Sequence, residues 1–229
     1  MAAPDPDFSA LTAVGLNLHA VVDVAALPAS LSPDLPRACR GGQLIVVANA
    51  GPLLWRAVKA AGLASADPID DFSVDAVVQW FARQFPGRRH RVLYPGGSPL
   101  GLQALGRLLG WHHATPFMVG ILPQWGSWFG YRVVLWADTD LPVTPPLQVE
   151  SPCRACTAQP CVAACPAQAM GAGGFALEKC LAWRRQPASP CRARCLARDA
   201  CPVGRAQRYD EDHMRHTYEQ SLRMIMRQR

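Results

Sequence analysis

The chain has 229 residues, half of them hydrophobic, and a formal charge of +6, enough for one large or two small globular domains. Its most apolar stretch, residues 116–137, is interrupted by Pro123, Gln124, Gly126, Ser127 and Arg132. No run of about 18 apolar residues remains, so no transmembrane helix is expected. The opening MAAPDPDFSA has neither a basic nor an apolar signal region. A cytoplasmic protein is therefore expected, not a secreted one stapled by disulfides.

In chain order, ALTAVGLNLHAVVDVAAL predicts a strand or a helix–strand pair around Asn17 and His19, with His19 a half-buried structural histidine. ALPASLSPDLPRACRGG is a Pro/Gly loop, and its Cys39 is expected to have no role. QLIVVAN reads as a buried strand. GPLLWRAVKAAG reads as a helix with Pro52 in its first turn and Gly62 as its stop. DPIDDF is expected to turn, and Ser73 to cap a helix over SVDAVVQWFARQF that buries Val74, Val77, Val78, Phe81 and Phe85. RRHRVLYP is a second strand, and Ser98-Pro99 should start a helix that Gly110 stops. His112 and His113 follow in an expected solvated loop, since adjacent side chains point in different directions.

PFMVGIL and YRVVLWA read as strands separated by PQWGSWFG, too long for a two-residue hairpin turn. The alternation predicts an α/β (α+β) domain over residues 1–140, one sheet with packed helices. Within it Pro123, Trp125, Gly126, Trp128, Phe129, Tyr131 and Arg132 are candidate cofactor-binding residues. Glycines admit a flat ligand, aromatics stack on it, and a guanidinium grips phosphate, carboxylate or amide. A core-forming strand with an aromatic turn explains the same pattern. Residues 141–150 form a Pro-rich linker. A C-terminal helix over 206–229 should dock through Met214, Tyr218, Leu222 and Ile225.

Residues 151–205 carry eight of the nine cysteines. They are spaced Cys-x2-Cys-x4-Cys-x3-Cys-Pro and then, after Cys180, Cys-x3-Cys-x5-Cys-Pro. Two thiolate groups each closed by Cys-Pro are how a bacterial-type ferredoxin holds two four-iron clusters, although the spacing here is looser than that run. Zinc is the competing reading, but only Cys153–Cys156 has the usual knuckle form. In two-cluster ferredoxins the last cysteine of each run binds the other run's cluster. That assigns Cys153, Cys156, Cys161 and Cys201 to one 4Fe–4S cluster and Cys165, Cys180, Cys191 and Cys195 to the other.

Charge agrees with clusters. Residues 1–150 hold ten basic and eleven acidic side chains, and residues 151–229 hold thirteen and six. Each oxidised four-thiolate cluster carries about −2, which accounts for most of that excess, so a nucleic-acid partner is not expected.

Three stretches carry a resemblance: QLIVVANAGPLLWRAV, with Pro52, Leu54 and Trp55; DPIDDF, with Asp67, Pro68 and Asp70; and VGILPQWGSWFGYRVVL, with Gly126, Trp128, Phe129 and Arg132. Together they resemble the cblC-type cobalamin-processing family over residues 40–140. That family's usual histidine before the last motif is Leu122 here. The cysteine module, with Cys180 standing alone in EKCLAW, is similar to that of epoxyqueuosine reductases and reductive dehalogenases. Those enzymes join a cblC-like domain to two 4Fe–4S clusters. The resemblance implies a nitroreductase-like sheet, followed by a ferredoxin-like module with two 4Fe–4S clusters, that reduces a bound cobalamin (or flavin). An external donor such as a flavodoxin, ferredoxin or flavin reductase would feed it, and the substrate would be a small molecule or corrinoid. Asp67, Asp70 and Tyr131 are candidate acids. The alternatives are an electron-transfer protein without substrate chemistry, and a tRNA-acting enzyme resembling epoxyqueuosine reductase, though the chain lacks that enzyme's helical-repeat tail.

Overall fold

The computed structural model describes residues 5–29, 31, 35–97 and 100–227, so Ser98 and Pro99 lie outside it. The chain folds as two units, Met1–Trp111 with Phe129–Gln148, and His112–Trp128 with Val149–Arg229.

The first unit begins with α1 (Ser9–Ala13) and β1 (Leu18–Asp23), the helix–strand version of the expected pair. His19 is half-buried, stacks on Phe8 at 4.3 Å and bonds the Leu16 carbonyl. Next comes β2 (Gln43–Ala50), buried at all eight positions, as a continuous apolar run requires. Pro52 then leads into α2 (Leu53–Ala61), which Gly62 stops in the left-handed conformation.

The following helix, α3 (Pro68–Gln84), starts five residues before the expected Ser73. Pro68 has the fixed φ of a first helical turn, and Asp70 and Asp71 sit where the helix dipole favours acids. DPIDDF is thus the start of the helix. Ser73 lies inside it and donates to the Ile69 carbonyl at 2.7 Å. The buried stripe is accordingly rotated to Ile69, Ser73, Val77, Trp80 and Phe81.

After β3 (His90–Tyr94), α4 (Leu102–Leu108) and β4 (Phe129–Ala137), the four strands form one antiparallel sheet in the order β1-β2-β4-β3. Ile45 pairs with Leu135 and Val47 with Val133. These side chains join Leu54, Val58, Val77 and Trp80 of α2 and α3 in one core. The Pro-rich stretch beyond β4 has no regular structure but is tied to the sheet. Gln43 brackets Leu141, accepting from its N–H and donating to its carbonyl at 2.8 Å each, and the Thr144 N–H bonds the Val21 carbonyl.

In the second unit PFMVGIL is not a strand. Met118 has φ +64°, and only isolated bridges, His113–Ile121 and Leu122–Gly126, form there. The Leu122 and Gly126 main chains exchange two hydrogen bonds and close a small loop, leaving no free edge for a ladder. His112, expected in solvent, is buried. The cysteine region contributes α5 (Pro160–Ala163), a ribbon of β5 (Met170–Gly171) and β6 (Gly174–Phe175), α6 (Leu177–Arg185) and α7 (Leu196–Ala200). The last element, α8 (Glu211–Arg227), buries Met214 and Leu222 of its apolar stripe. No described helix is long and apolar enough to cross a membrane.

Candidate functional site

All nine cysteines are free thiols. Cys39 is buried, and burial pushes its thiol up, with Arg91 opposing. The other eight sort into two sets. Burial first, then the thiols of Cys201, Cys161 and Cys156, push the Cys153 thiol up, and Cys161 is raised by burial and by Cys201 and Cys156. Cys180 is raised by burial, lowered by Arg184 and raised again by Cys165 and Cys191. Cys195 is raised by burial and by Cys191 and Cys180, while the main-chain N–H groups of Arg198 and Ala197 reach its sulfur. The interactions thus link Cys153, Cys156, Cys161 and Cys201 in one set, and Cys165, Cys180, Cys191 and Cys195 in the other.

Cys165, Cys180, Cys191 and Cys195 also line one cavity of about 540 Å³ in the second unit. Its wall includes Phe117, Phe175, Leu181, Trp183 and Ile225. Four thiols around an apolar hollow are the donor set and surroundings that a four-iron cluster needs. Among the described residues no group of three or more His, Cys, Asp or Glu stands close enough to hold a single metal ion.

Short elements position these thiols. Cys161 lies in the four-residue α5, Cys180 inside α6, and Cys195 at the N-cap of α7. The Ser189 hydroxyl accepts from the Cys191 N–H at 3.2 Å. In the first set the segment from Arg154 to Gln159 is largely exposed, so Cys153 and Cys156 sit near solvent.

The candidate cofactor residues fall in both units. In the second, Pro123 is exposed, Trp125 half-buried, and Gly126 and Trp128 buried. Gly126 has φ +60°, and a Cβ there would lie 2.3 Å from the Val203 carbonyl, so the chain that its missing side chain admits is the 203–204 segment. Trp128 packs edge-on to Tyr209 at 5.6 Å and lies beneath the Arg198 guanidinium at 4.3 Å.

In the first unit, the register of β2 and β4 shifts between Val47, paired with Val133, and Ala48, paired with Tyr131. Arg132 is therefore the extra residue of a β-bulge, a device that re-aims a side chain. Its Nε donates to the Asn49 Oδ1 at 2.6 Å. Gly130 leaves the space, since a Cβ there would meet the Arg132 guanidinium at 3.1 Å.

The Asp70 carboxyl is raised by burial, lowered by Arg132 and raised by Asp67 and Asp71. Tyr94 is raised by burial and by Asp70, with Arg132 opposing. The Tyr131 hydroxyl is buried without a hydrogen-bond partner among the described residues, and burial raises it far. Phe129 is buried and meets the Tyr131 ring edge-on at 6.0 Å. This end of the sheet thus gathers a carboxyl raised by burial, a cation and an amide, while the Tyr131 hydroxyl lies in the field of Arg107. A ligand phosphate, which cobalamin and flavin nucleotides both carry, or a corrin carboxamide fits that set.

Asn49 and Tyr94 were not singled out from sequence. Asn49 was hidden in an apolar run, and the signal was a polar residue at a position with no exposed face. Asp67 is exposed at the start of α3.

No protein-family model matches the chain, and no curated protein matches it in sequence. Solved structures do resemble it in fold. Epoxyqueuosine reductase from Streptococcus thermophilus superimposes with a TM-score of 0.54 at 15% identity, over 86% of this chain and 65% of that one. The Bacillus subtilis epoxyqueuosine reductase gives 0.54 at 13% identity, over 87% and 64%. A catabolic reductive dehalogenase in complex with 3-bromo-4-hydroxybenzoic acid gives 0.51 at 15% identity, over 93% and 33%. The chain therefore spans just under two thirds of the length of those reductases and a third of that dehalogenase.

Proposed function

We propose that the chain is an iron–sulfur reductase that passes electrons through two 4Fe–4S clusters to a bound cobalamin, or to a flavin in its place. The observation that carries this reading is the cavity into which Cys165 of the first cysteine run and Cys180, Cys191 and Cys195 open together. Thiols 30 positions apart in sequence, from Cys165 to Cys195, line it, which chance spacing does not produce. Two kinds of reductase sharing the fold support the same class of reaction.

When bound, the clusters supply one-electron carriers and the cofactor the two-electron chemistry. The chain's own residues do the rest. Cys153, Cys156, Cys161 and Cys201 hold the outer cluster, and the cavity thiols hold the other. Tyr131 and Arg132 orient polar groups of the cofactor. Asp70, whose carboxyl burial raises, is the residue that would pass a proton to a reduced product. The substrate is a small molecule or a corrinoid, and an external carrier supplies the electrons.

The test is anaerobic purification with iron, sulfide and zinc analysis, followed by titration with cobalamin and with flavin. About eight irons per chain and saturable uptake of one cofactor are expected. A brown protein that takes up neither is an electron carrier, and zinc without iron or sulfide overturns the reading.

A further inference from the structure

Two arginines line the cavity of the second cysteine set in a way the packing alone does not explain. Arg198 is 5% exposed and Arg184 is 8% exposed. Arg198 donates to the Ser127 hydroxyl at 3.2 Å and to the Ser127 carbonyl, bonds the Tyr218 hydroxyl, and lies over the rings of Trp128 and Tyr209 at 4.3 and 5.1 Å. Arg184 donates to the Cys191 carbonyl at 3.1 Å, the Tyr218 carbonyl at 2.9 Å and the Ser221 hydroxyl at 3.2 Å, and lies 5.5 Å from the Tyr218 ring. Neither has a carboxylate among its described partners. The third arginine on the cavity wall, Arg194, is neutralised by Asp199 at 2.6 Å.

A buried cation without a counter-charge costs several kcal/mol. Carbonyls, hydroxyls and aromatic faces offset part of that, but none of them carries a net charge. Two such cations beside four thiols imply an anion of charge near −2 between them, which is the charge of an oxidised cubane. The first set lies nearer solvent: Arg154, Ala155 and Thr157 to Gln159, around Cys153 and Cys156, are exposed, so water there screens a cluster's charge.

We propose that Arg184 and Arg198 are the counter-ions of a cluster at Cys165, Cys180, Cys191 and Cys195. They make it the higher-potential member of the pair, so electrons run from the Cys153 set to this one. This rests on the reading that both sets hold 4Fe–4S clusters. Reduction adds a negative charge, which nearby buried cations favour, and cluster potential follows net local charge. Burial alone would pull the inner cluster the other way. With both arginines present its oxidised site is close to neutral, while the outer site stays near −2.

The experiment is an EPR-monitored redox titration of the anaerobic, iron-replete full chain. The wild type should show two separate one-electron steps. Arg198→Gln and Arg184→Gln should each move the upper step to lower potential and leave the lower one in place. Arg198→Lys should restore most of the shift, and Cys153→Ser should disturb the lower step only. Unmoved midpoints, equal shifts of both steps, or an upper step disturbed by Cys153→Ser would overturn the assignment. If the glutamine variants lose one cluster's iron while Arg198→Lys keeps both with wild-type midpoints, the charge requirement stands. If the lysine variant loses iron as well, shape and not charge is what matters, and the proposal fails. A wild type without iron overturns the cluster reading itself, whereas a full iron content with unshifted midpoints overturns only the role of the arginines.

Discussion

Arg132 and Arg198 show one cation in two settings. Arg132 is half-exposed, sits on a bulge and is shared by Asn49 and the field of Asp70, whereas Arg198 is sealed among aromatic rings. Two tests belong here. The Tyr131 hydroxyl has no described partner, and an unsatisfied buried hydroxyl costs about 1–3 kcal/mol. Tyr131→Phe should therefore unfold at the same or a higher urea concentration than wild type, yet bind the cofactor roughly tenfold more weakly, a loss of about 1.4 kcal/mol. Weaker binding without lost stability is the signature, and equal binding would remove Tyr131 from the site.

Asp70 gives a pH dependence. Burial raises its carboxyl in the folded chain, so the folded state holds that proton more tightly than the unfolded one. Its effect on stability is therefore neutral below about pH 4 and increasingly unfavourable as pH rises through the folded value. Melting temperatures of Asp70→Asn should fall less between pH 4 and 7 than those of wild type. Parallel curves would show that Asp70 titrates normally.

Among the elements, the loop closed by Leu122 and Gly126 is the one on which most depends locally. Gly126 and Gly204 approach so closely that a Cβ on either would lie within 2.5 Å of the other's neighbourhood, and both have positive φ. Gly126→Ala adds left-handed strain to a main-chain clash and should cost about 3 kcal/mol or more, measured by urea unfolding of the second unit. A loss under about 1 kcal/mol would mean that the loop yields easily. This loop also marks where sequence periodicity stops being informative. PFMVGIL has the composition of a strand, but an apolar run pairs only if a free edge faces it, and hydrogen bonds inside the loop leave none. The start of α3 was misplaced for a related reason. Ser73 is a good cap by residue type, yet Pro68 and two acids upstream already satisfy the first turn.

The two units differ in how their folded states are held. The first has a broad core between the sheet and α2 and α3. The second joins helices of four and five residues, too short to persist alone, to α6 and α8 around two small clusters, one of Phe117, Cys161, Met170 and Ala197 and one of Trp128, Tyr209 and Met214. Stripping iron with a chelator under anaerobic conditions should therefore unfold the second unit while the strand signal in circular dichroism survives. Loss of both signals in one step would show that the units fold as one.

The cysteine pattern suggests two fours only through the crossover rule, because covalent distance alone would group Cys165 with Cys161 and not with Cys195. The buried strand at 43–49 was legible because Leu44 to Ala48 are five consecutive small or apolar residues, too many for a chain segment with a solvent face. The tertiary structure alone decided that Arg184 and Arg198 face the thiols without carboxylates, that a bulge turns Arg132 toward Asn49, and that Trp128 lies inside a stack of rings. The contacts of Arg198 with Ser127 and of Arg132 with Asn49 join residues 71 and 83 positions apart, those of Arg184 with Tyr218 and Ser221 residues 34 and 37 apart, and no local periodicity records which distant partner a side chain will meet.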